Sequence, residues 1–100
     1  MKYEHFFYIY MLTNFTNTVF YVGVTNNPWR RTSEHQSKQH EGFTKKYNVT
    51  KLVYVEQHET IESAITREKQ MKRWRRDWKI QLIMKSNPTF EDLSADPWNL

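Results

Sequence analysis

The chain has 100 residues, a formal charge of +4 and 16% aromatic residues, with a mean hydropathy of −0.89. This length predicts a single domain, and the two glycines and three prolines argue against a disordered chain. The absence of cysteine excludes disulfides, thiolate catalysis and cysteine-ligated zinc, and it fits the cytoplasm. No run approaches the ~18 apolar residues of a membrane helix, so no membrane association is expected. The positive charge favours a polyanionic partner.

The N-terminal region predicts a β-hairpin. Residues 6–12 and 18–24 are rich in aromatic and β-branched side chains and flank the polar segment "TNFTNT". Strand side chains alternate between the two faces of a sheet. One face is therefore wholly apolar, and the other collects the tyrosine hydroxyls. Gly23 lies beside them and, having no side chain, is expected to permit another group or a ligand to approach closely. The apolar face comprises Phe7, Ile9, Met11, Phe20, Val22 and Val24, and the other face comprises Tyr8, Tyr10, Leu12, Val19, Tyr21 and Gly23.

A helix is predicted to begin at Asn27-Pro28, with Asn as the N-cap, and to run to about Lys38. Arg31 and His35 are four residues apart and so share one face of this helix. The segment 39–50, "QHEGFTKKYNVT", is expected to be a loop or short irregular turn with a basic tip at Lys45 and Lys46.

The second half predicts one more strand and two helices. Residues 51–56, "KLVYVE", have strand composition. Thr60 is expected to cap the next helix, and Asp77 to cap a last one that ends before Asn87-Pro88. The tail from Thr89 to Leu100 is expected to pack irregularly over the domain.

Glu68 interrupts the apolar stripe of the helix that Thr60 caps. It follows Ala64 by four residues and precedes Met71 by three, so it lies at the centre of the stripe. A buried carboxylate needs a partner or a metal. The position alone leaves two alternatives open, an ion pair with an arginine such as Arg31 or a metal ligand facing a cleft.

Residues 67–79 contain seven basic side chains, among them Lys72, Arg73, Arg75 and Arg76. The run is either a solvated helix face or a surface that follows the phosphates of a nucleic acid. Trp74 and Trp78 within it could stack on bases, but their spacing of four residues favours the core. The remaining histidines, His5, His40 and His58, show no metal-ligand spacing and are expected to be solvated.

"YIY" at 8–10, "YVG" at 21–23, Arg31, His35 and Glu68 occur in an order that resembles the GIY-YIG nuclease superfamily, most closely its small single-domain bacterial members. The whole chain, 1–100, is predicted to be one domain. The resemblance spans about residues 5–93, and residues 89–100 form the irregular C-terminal tail. The segments "FTKKYN", "LVYVE", "AITREKQMKRW", "KIQLI" and "NP" also fall in the expected order. The fold implied is α+β, a small three-stranded antiparallel sheet flanked by helices. The first motif has Tyr8 where the family name places glycine.

The resemblance also implies roles for individual residues. Tyr21 would be the general base on water, or its orienting group, and Tyr10 would hydrogen-bond that water or the phosphate. Arg31 would neutralise charge on the phosphorane, while His35 would assist Tyr21 or contact the scissile phosphate. Glu68 would hold one Mg²⁺ or Mn²⁺. Nucleic-acid contacts would come from Gly23, the lysines and arginines of the loop and helix, and the late asparagine, namely Lys45, Lys46, Lys72, Arg73, Arg75, Arg76 and Asn87.

Two functions follow from this resemblance. The first is a metal-dependent DNA endonuclease, and the alternative is a non-catalytic nucleic-acid-binding module that keeps the fold. The five matching residues favour the enzyme, because a binding module has no need of a carboxylate in the apolar stripe. The sequence leaves open the form of the nucleic-acid substrate, any protein partner and the oligomeric state.

Overall fold

The computed structural model describes residues 6–37 and 42–95. It is an α+β fold in which a three-stranded antiparallel sheet is flanked by helices, as the sequence predicts. The elements in chain order are β1 (Phe7–Thr13), β2 (Phe20–Thr25), α1 (Pro28–Gln36), the single turn α2 (Phe43–Lys46), β3 (Lys51–His58), α3 (Ile61–Lys72), α4 (Arg76–Ser86) and a short 3₁₀ helix (Leu93–Ala95).

The sheet has the order β2-β1-β3, so the first strand lies at its centre and β2 at one edge. The hairpin register pairs Tyr10 with Gly23 and Leu12 with Tyr21, and it pairs Met11 with Val22. The predicted division of the hairpin into an apolar face and a tyrosine face is therefore confirmed.

Different elements cover the two faces. Ile9, Met11 and Val22 on the apolar face pack against helical side chains, namely Ala64 and Met71 of α3 and Ile83 of α4. On the tyrosine face, Tyr10 and Leu12 pack with Val49, Leu52 and Leu93, and α1 lies over the tyrosines. Because the sheet separates α1 from α3, side chains of these two helices approach the sheet from opposite sides.

Two of the three predicted N-caps form. The Asn27 side chain accepts a hydrogen bond from the Arg30 amide at 3.1 Å, and the Thr60 hydroxyl accepts one from the Ser63 amide at 3.1 Å. The prediction that Asp77 caps the last helix is wrong. Arg75 occupies that cap position without a side-chain bond, and Asp77 lies in the first turn.

Asn87 connects the end of α4 to the sheet. It is 5% exposed, and its side-chain amide donates to the Val53 carbonyl at 3.1 Å and to the Glu91 carbonyl at 2.9 Å. Its side-chain oxygen accepts from the Glu91 amide at 3.0 Å. The predicted nucleic-acid contact of Asn87 is therefore wrong, because the side chain is buried and its polar atoms bond to the main chain.

Several predictions fall on residues outside the described ranges, including those for His5, His40, the end of α1 at Lys38 and the tail around Trp98. Within the described ranges, none of the helices combines the length and apolar character that spanning a membrane requires.

Candidate active site

Tyr10 lies on the central strand, and its ring leans over the neighbouring strand at Gly23. A Cβ atom at Gly23 would lie 2.6 Å from the Cε1, Cζ and Oη atoms of Tyr10, which is too close for any side chain. The expectation that Gly23 permits a close approach is therefore confirmed for another group of the protein, and the expected approach of substrate is wrong. The space above this glycine is filled by the Tyr10 ring, and Gly23 is what allows that ring to lie flat against β2.

Helix α1 brings His35 onto the same tyrosines. The Tyr10 hydroxyl shares a hydrogen bond of 3.2 Å with Nε2 of His35. The His35 ring centroid lies 5.3 Å from that of Tyr21, and the two tyrosine ring centroids are 6.1 Å apart. Two strands and one helix thus place three rings in mutual contact, which we call the tyrosine–histidine cluster (Tyr10, Tyr21 and His35).

Arg31 joins this cluster one helical turn before His35. Its guanidinium interacts with the Tyr10 hydroxyl and donates from Nη1 to Oε1 of Glu34 at 3.0 Å. Burial acts to lower the pKa of Arg31, but the Tyr10 and Glu34 oxygens more than offset this and the pKa is raised. Arg31 is therefore a fixed positive charge.

Tyr10 is a neutral hydroxyl at physiological pH. Burial raises its pKa well above the ordinary value, the nearby Tyr21 raises it further, and Arg31 only partly opposes them. The raised pKa favours the hydroxyl over the phenolate, and this hydroxyl can accept from Arg31 and share a hydrogen bond with His35.

Exposure divides the site into an inner and an outer part. Tyr10 is 1% exposed and His35 is 3% exposed, whereas Tyr21 and Arg31 are both partly exposed. The expectation that Tyr10 hydrogen-bonds the attacking water or the phosphate is wrong for the described structure, and the same holds for a direct phosphate contact by His35. Of these four side chains, Tyr21 and Arg31 are therefore the two that solvent reaches on this face.

Glu68 does not lie with these residues. It projects from α3 between Ala64 and Met71, which pack on the apolar face of the sheet. Its described polar partner is Lys72, with the Nζ and Oε2 atoms 3.3 Å apart. The predictions that Glu68 pairs with Arg31, or shares a cleft with Tyr21 on one side of the sheet, are wrong.

The motif order and this geometry agree with a comparison against family models, in which residues 6–81 match the GIY-YIG catalytic domain. The chain belongs to the GIY-YIG family. A UPF0213 protein from Syntrophus aciditrophicus (strain SB) is 37% identical over 82 residues, covering 81% of this chain and 92% of that protein.

A solved structure supports the same assignment. The solution NMR structure of a UPF0213 protein from Bacillus halodurans matches with a TM-score of 0.55 and 25% identity, covering 87% of this chain and 92% of that one. The GIY-YIG fold predicted from the motifs is thereby confirmed.

The GIY-YIG resemblance implies a divalent metal, and Glu68 is the residue to test for it. Among the described residues, no three carboxylate or histidine side chains gather into a metal cage. A single carboxylate does suit Mg²⁺, which keeps several waters and completes its shell with substrate phosphates. The Glu68 side chain is 19% exposed, and its partner Lys72, at 52%, is free to move away. The donor set therefore fits a hydrated ion shared with substrate.

The basic run is not one uniform surface. Arg67 belongs to a separate network, in which it donates to both carboxylate oxygens of Glu56 at 3.0 and 3.1 Å. Trp74 packs against the core, but Trp78 is 46% exposed, so its predicted place in the core is wrong. The side chains predicted to contact phosphates are all exposed to solvent, as such a surface requires, namely Lys45, Lys46, Lys72, Arg73, Arg75 and Arg76.

His58 is the residue whose surroundings the sequence misses. Its Nε2 lies 2.7 Å from Oε1 of Glu56, and its Nδ1 lies 2.6 Å from the Ser63 hydroxyl. Glu56 also accepts from the Tyr54 hydroxyl at 2.7 Å. The expectation of a solvated His58 is wrong. The alternation of β3 places Tyr54, Glu56 and His58 on one face, which was the available signal.

Proposed function

We propose that the protein is a nuclease that hydrolyses phosphodiester bonds, with DNA as its substrate. The observation that carries this proposal is the arrangement of Arg31 and Tyr21. Arg31 and Tyr21 are both partly exposed on the same side of the sheet. Both contact the buried pair Tyr10 and His35, which holds them in position. A fixed cation beside a hydroxyl is what phosphoryl chemistry requires of a protein surface.

Arg31 supplies the counter-charge. Its planar guanidinium suits two phosphate oxygens at once, and its positive charge stabilises the extra negative charge of the pentacovalent phosphorane. The Glu34 carboxylate at 3.0 Å occupies one of its nitrogens in the absence of substrate. A phosphate would compete with Glu34 for this donor, while the interaction with the Tyr10 hydroxyl also holds the guanidinium.

Tyr21 orients the attacking water, or accepts its proton, from a hydroxyl beside the His35 ring. His35 is buried and bonded to Tyr10, so it sets the position and polarity of the Tyr21 surroundings without contacting the phosphate. In this proposal Arg31 and Tyr21 contact substrate, and Tyr10 and His35 hold these two side chains in position.

A divalent ion, Mg²⁺ or Mn²⁺, is proposed as the cofactor, with Glu68 as the residue that would hold it. Such an ion supplies charge stabilisation for the phosphoryl oxygens and lowers the pKa of bound water. Helix α3 and the edge strand β2 are in contact. Because Glu68 and Arg31 lie on opposite faces of the sheet, an ion held by Glu68 could share a phosphate with Arg31 and Tyr21 only around the free edge formed by β2.

The test is cleavage of plasmid, nicked, branched and single-stranded DNA in Mg²⁺, Mn²⁺ or chelator. The wild type is expected to cut at least one of them only when metal is present. Tyr21→Phe should lower the rate about a hundredfold with binding retained, and Tyr47→Phe, at an exposed tyrosine, is the matched control. DNA binding that is equal in metal and chelator, with no cleavage of any substrate, would overturn the proposal in favour of a binding module.

A further inference from the structure

The turn between β1 and β2 holds one aromatic ring out in solvent. Phe15 is 92% exposed, the highest value among the exposed large apolar side chains. Single exposed apolar residues are common on protein surfaces and mean little alone. What distinguishes Phe15 is the turn that carries it and the charges beside that turn.

The turn is rigid because the Asn14 side chain bridges it. Oδ1 of Asn14 accepts from the amides of Thr18 at 2.8 Å and Val19 at 3.1 Å. Its Nδ2 donates to the hydroxyls of Thr16 at 3.2 Å and Thr18 at 2.9 Å. Side-chain bonds of this kind fix a turn in one conformation, so Phe15 is presented in a defined direction.

Two cations lie beside the same turn. Arg76 and Lys79 line a cavity of about 210 Å³ together with Thr18, Val19 and Phe20. Lys79 is partly buried and has no carboxylate partner among the described residues, and this burial lowers its pKa. A half-buried, unpaired ammonium gains from any anion that enters the cavity.

The distances suit a nucleic acid. Thr18 is three residues from Phe15, so the cavity and the ring are within about 10 Å of each other along the chain. Tyr21 is paired with Leu12, two residues above the start of the turn, which is about 7 Å of strand. Helix α4, which carries the two cations of the cavity, packs on the face of the sheet opposite to Tyr21. A nucleic acid bound at Tyr21 would therefore meet the basic cavity and the Phe15 ring where it passes around the end of the sheet that carries the turn.

We infer that the β1–β2 turn is a base-stacking element. Phe15 binds an unpaired base, and Arg76 and Lys79 bind a phosphate beside that base. The inference rests on the proposed function and narrows its substrate to DNA with unpaired nucleotides next to a duplex, such as a fork or a flap. The tryptophans of the basic run suit this role less well. Trp74 is partly buried against the core, and Arg67 and Arg75 already lie over Trp74 and Trp78, at 5.1 and 4.9 Å from the ring centroids.

The test measures affinity in chelator by fluorescence anisotropy, for a forked duplex and for a blunt duplex of equal length. Phe15→Ala should weaken fork binding about fivefold to a hundredfold and leave blunt-duplex binding unchanged. Phe15→Trp should retain fork binding. Met84→Ala removes another exposed apolar side chain, 48% exposed on α4, and is the matched control. Because Phe15 is almost fully exposed, its replacement does not endanger folding.

Two further measurements separate stacking from charge. A 2-aminopurine in the unpaired arm should be quenched by the wild type and not by Phe15→Ala. Arg76→Gln with Lys79→Gln should weaken both DNAs alike. Unchanged fork affinity in Phe15→Ala overturns the inference even if the protein cleaves DNA. If Phe15→Ala weakens fork binding but the wild type shows no metal-dependent cleavage, only the proposed catalysis is overturned. A wild type that binds no DNA overturns both.

Discussion

The Tyr10 ring occupies the space that a side chain at position 23 would need, with three of its atoms 2.6 Å from where a Cβ would lie. The two residues are direct cross-strand partners, so the ring at position 10 limits which side chain position 23 can hold. Gly23 of the second motif therefore helps to hold the ring of Tyr10, the tyrosine of the first motif. Through Tyr10 it also affects the positions of Arg31 and His35.

Gly23→Ala is expected to destabilise the protein by about 1–3 kcal/mol, because the Tyr10 ring must move within a packed layer. Urea unfolding provides the measurement. Tyr10→Leu removes the ring atoms that clash, so in a double-mutant cycle the two substitutions should cost clearly less together than the sum of the single changes. Strict additivity would show that the ring does not limit position 23.

Arg31→Ala should reduce metal-dependent cleavage by about a hundredfold to a thousandfold, since it removes the charge that stabilises the transition state. Arg30→Ala is the matched control, because Arg30 is the neighbouring arginine, 57% exposed and 4.0 Å from the same Glu34. Arg31→Lys keeps the charge and should recover only part of the rate, because an ammonium cannot replace the planar fork. Equal rates for Arg31→Ala and Arg30→Ala would exclude Arg31 from the chemistry.

The sequence predicts the strands, the sheet faces and two of the three helix N-caps, because these depend on local alternation and on the single residues Asn27 and Thr60. It also predicts that Tyr10 and Tyr21 share a face. It does not predict what covers that face, so the burial of Tyr10 and His35 is missed. Glu68 is misplaced for the same reason, since a stripe shows that a side chain points inward but not onto which side of the sheet.

Glu56 should make stability fall in acid. Burial acts to raise its pKa, but the bonds from Arg67, Tyr54 and His58 outweigh burial and the pKa is lowered from its ordinary 4.5. A carboxyl with a depressed folded-state pKa stabilises the fold above the unfolded pKa, and that contribution is lost as the pH falls through the folded value. The difference in unfolding free energy between wild type and Glu56→Gln should therefore shrink from about pH 5 downward.

Urea unfolding at several pH values between about 3 and 7 measures this difference. Glu59→Gln removes an exposed carboxylate from the same region and is the control. A gap between wild type and Glu56→Gln that stays constant over the whole range would contradict the depressed pKa.

The basic helices should give DNA affinity a steep salt dependence. Arg73 and Arg76 are exposed and have no carboxylate partner among the described residues, whereas Lys72 pairs with Glu68 and Arg75 with Asp77. Replacing Arg73 and Arg76 by Gln should flatten the slope of log affinity against log salt by about one to two units. The same change at Lys72 and Arg75 should flatten it less. If the salt dependence of DNA affinity were unchanged when Arg73 and Arg76 are replaced, these side chains would be solvated and would not contact phosphates.

The Glu68→Ala variant distinguishes a structural role of this carboxylate from a role as a metal ligand. Its partner Lys72 is 52% exposed and four residues away on the same helix, and such pairs contribute only about 0.3–0.5 kcal/mol. The variant is therefore expected to melt no earlier than wild type in chelator and to bind DNA. It should lose Mg²⁺-dependent nicking and any metal-induced rise in melting temperature, because an ion that binds only the folded state stabilises it.

Glu62→Ala, at an exposed acid of the same helix, controls for charge. Early melting in chelator, or nicking at the wild-type rate, would contradict the assignment of Glu68 as the metal ligand.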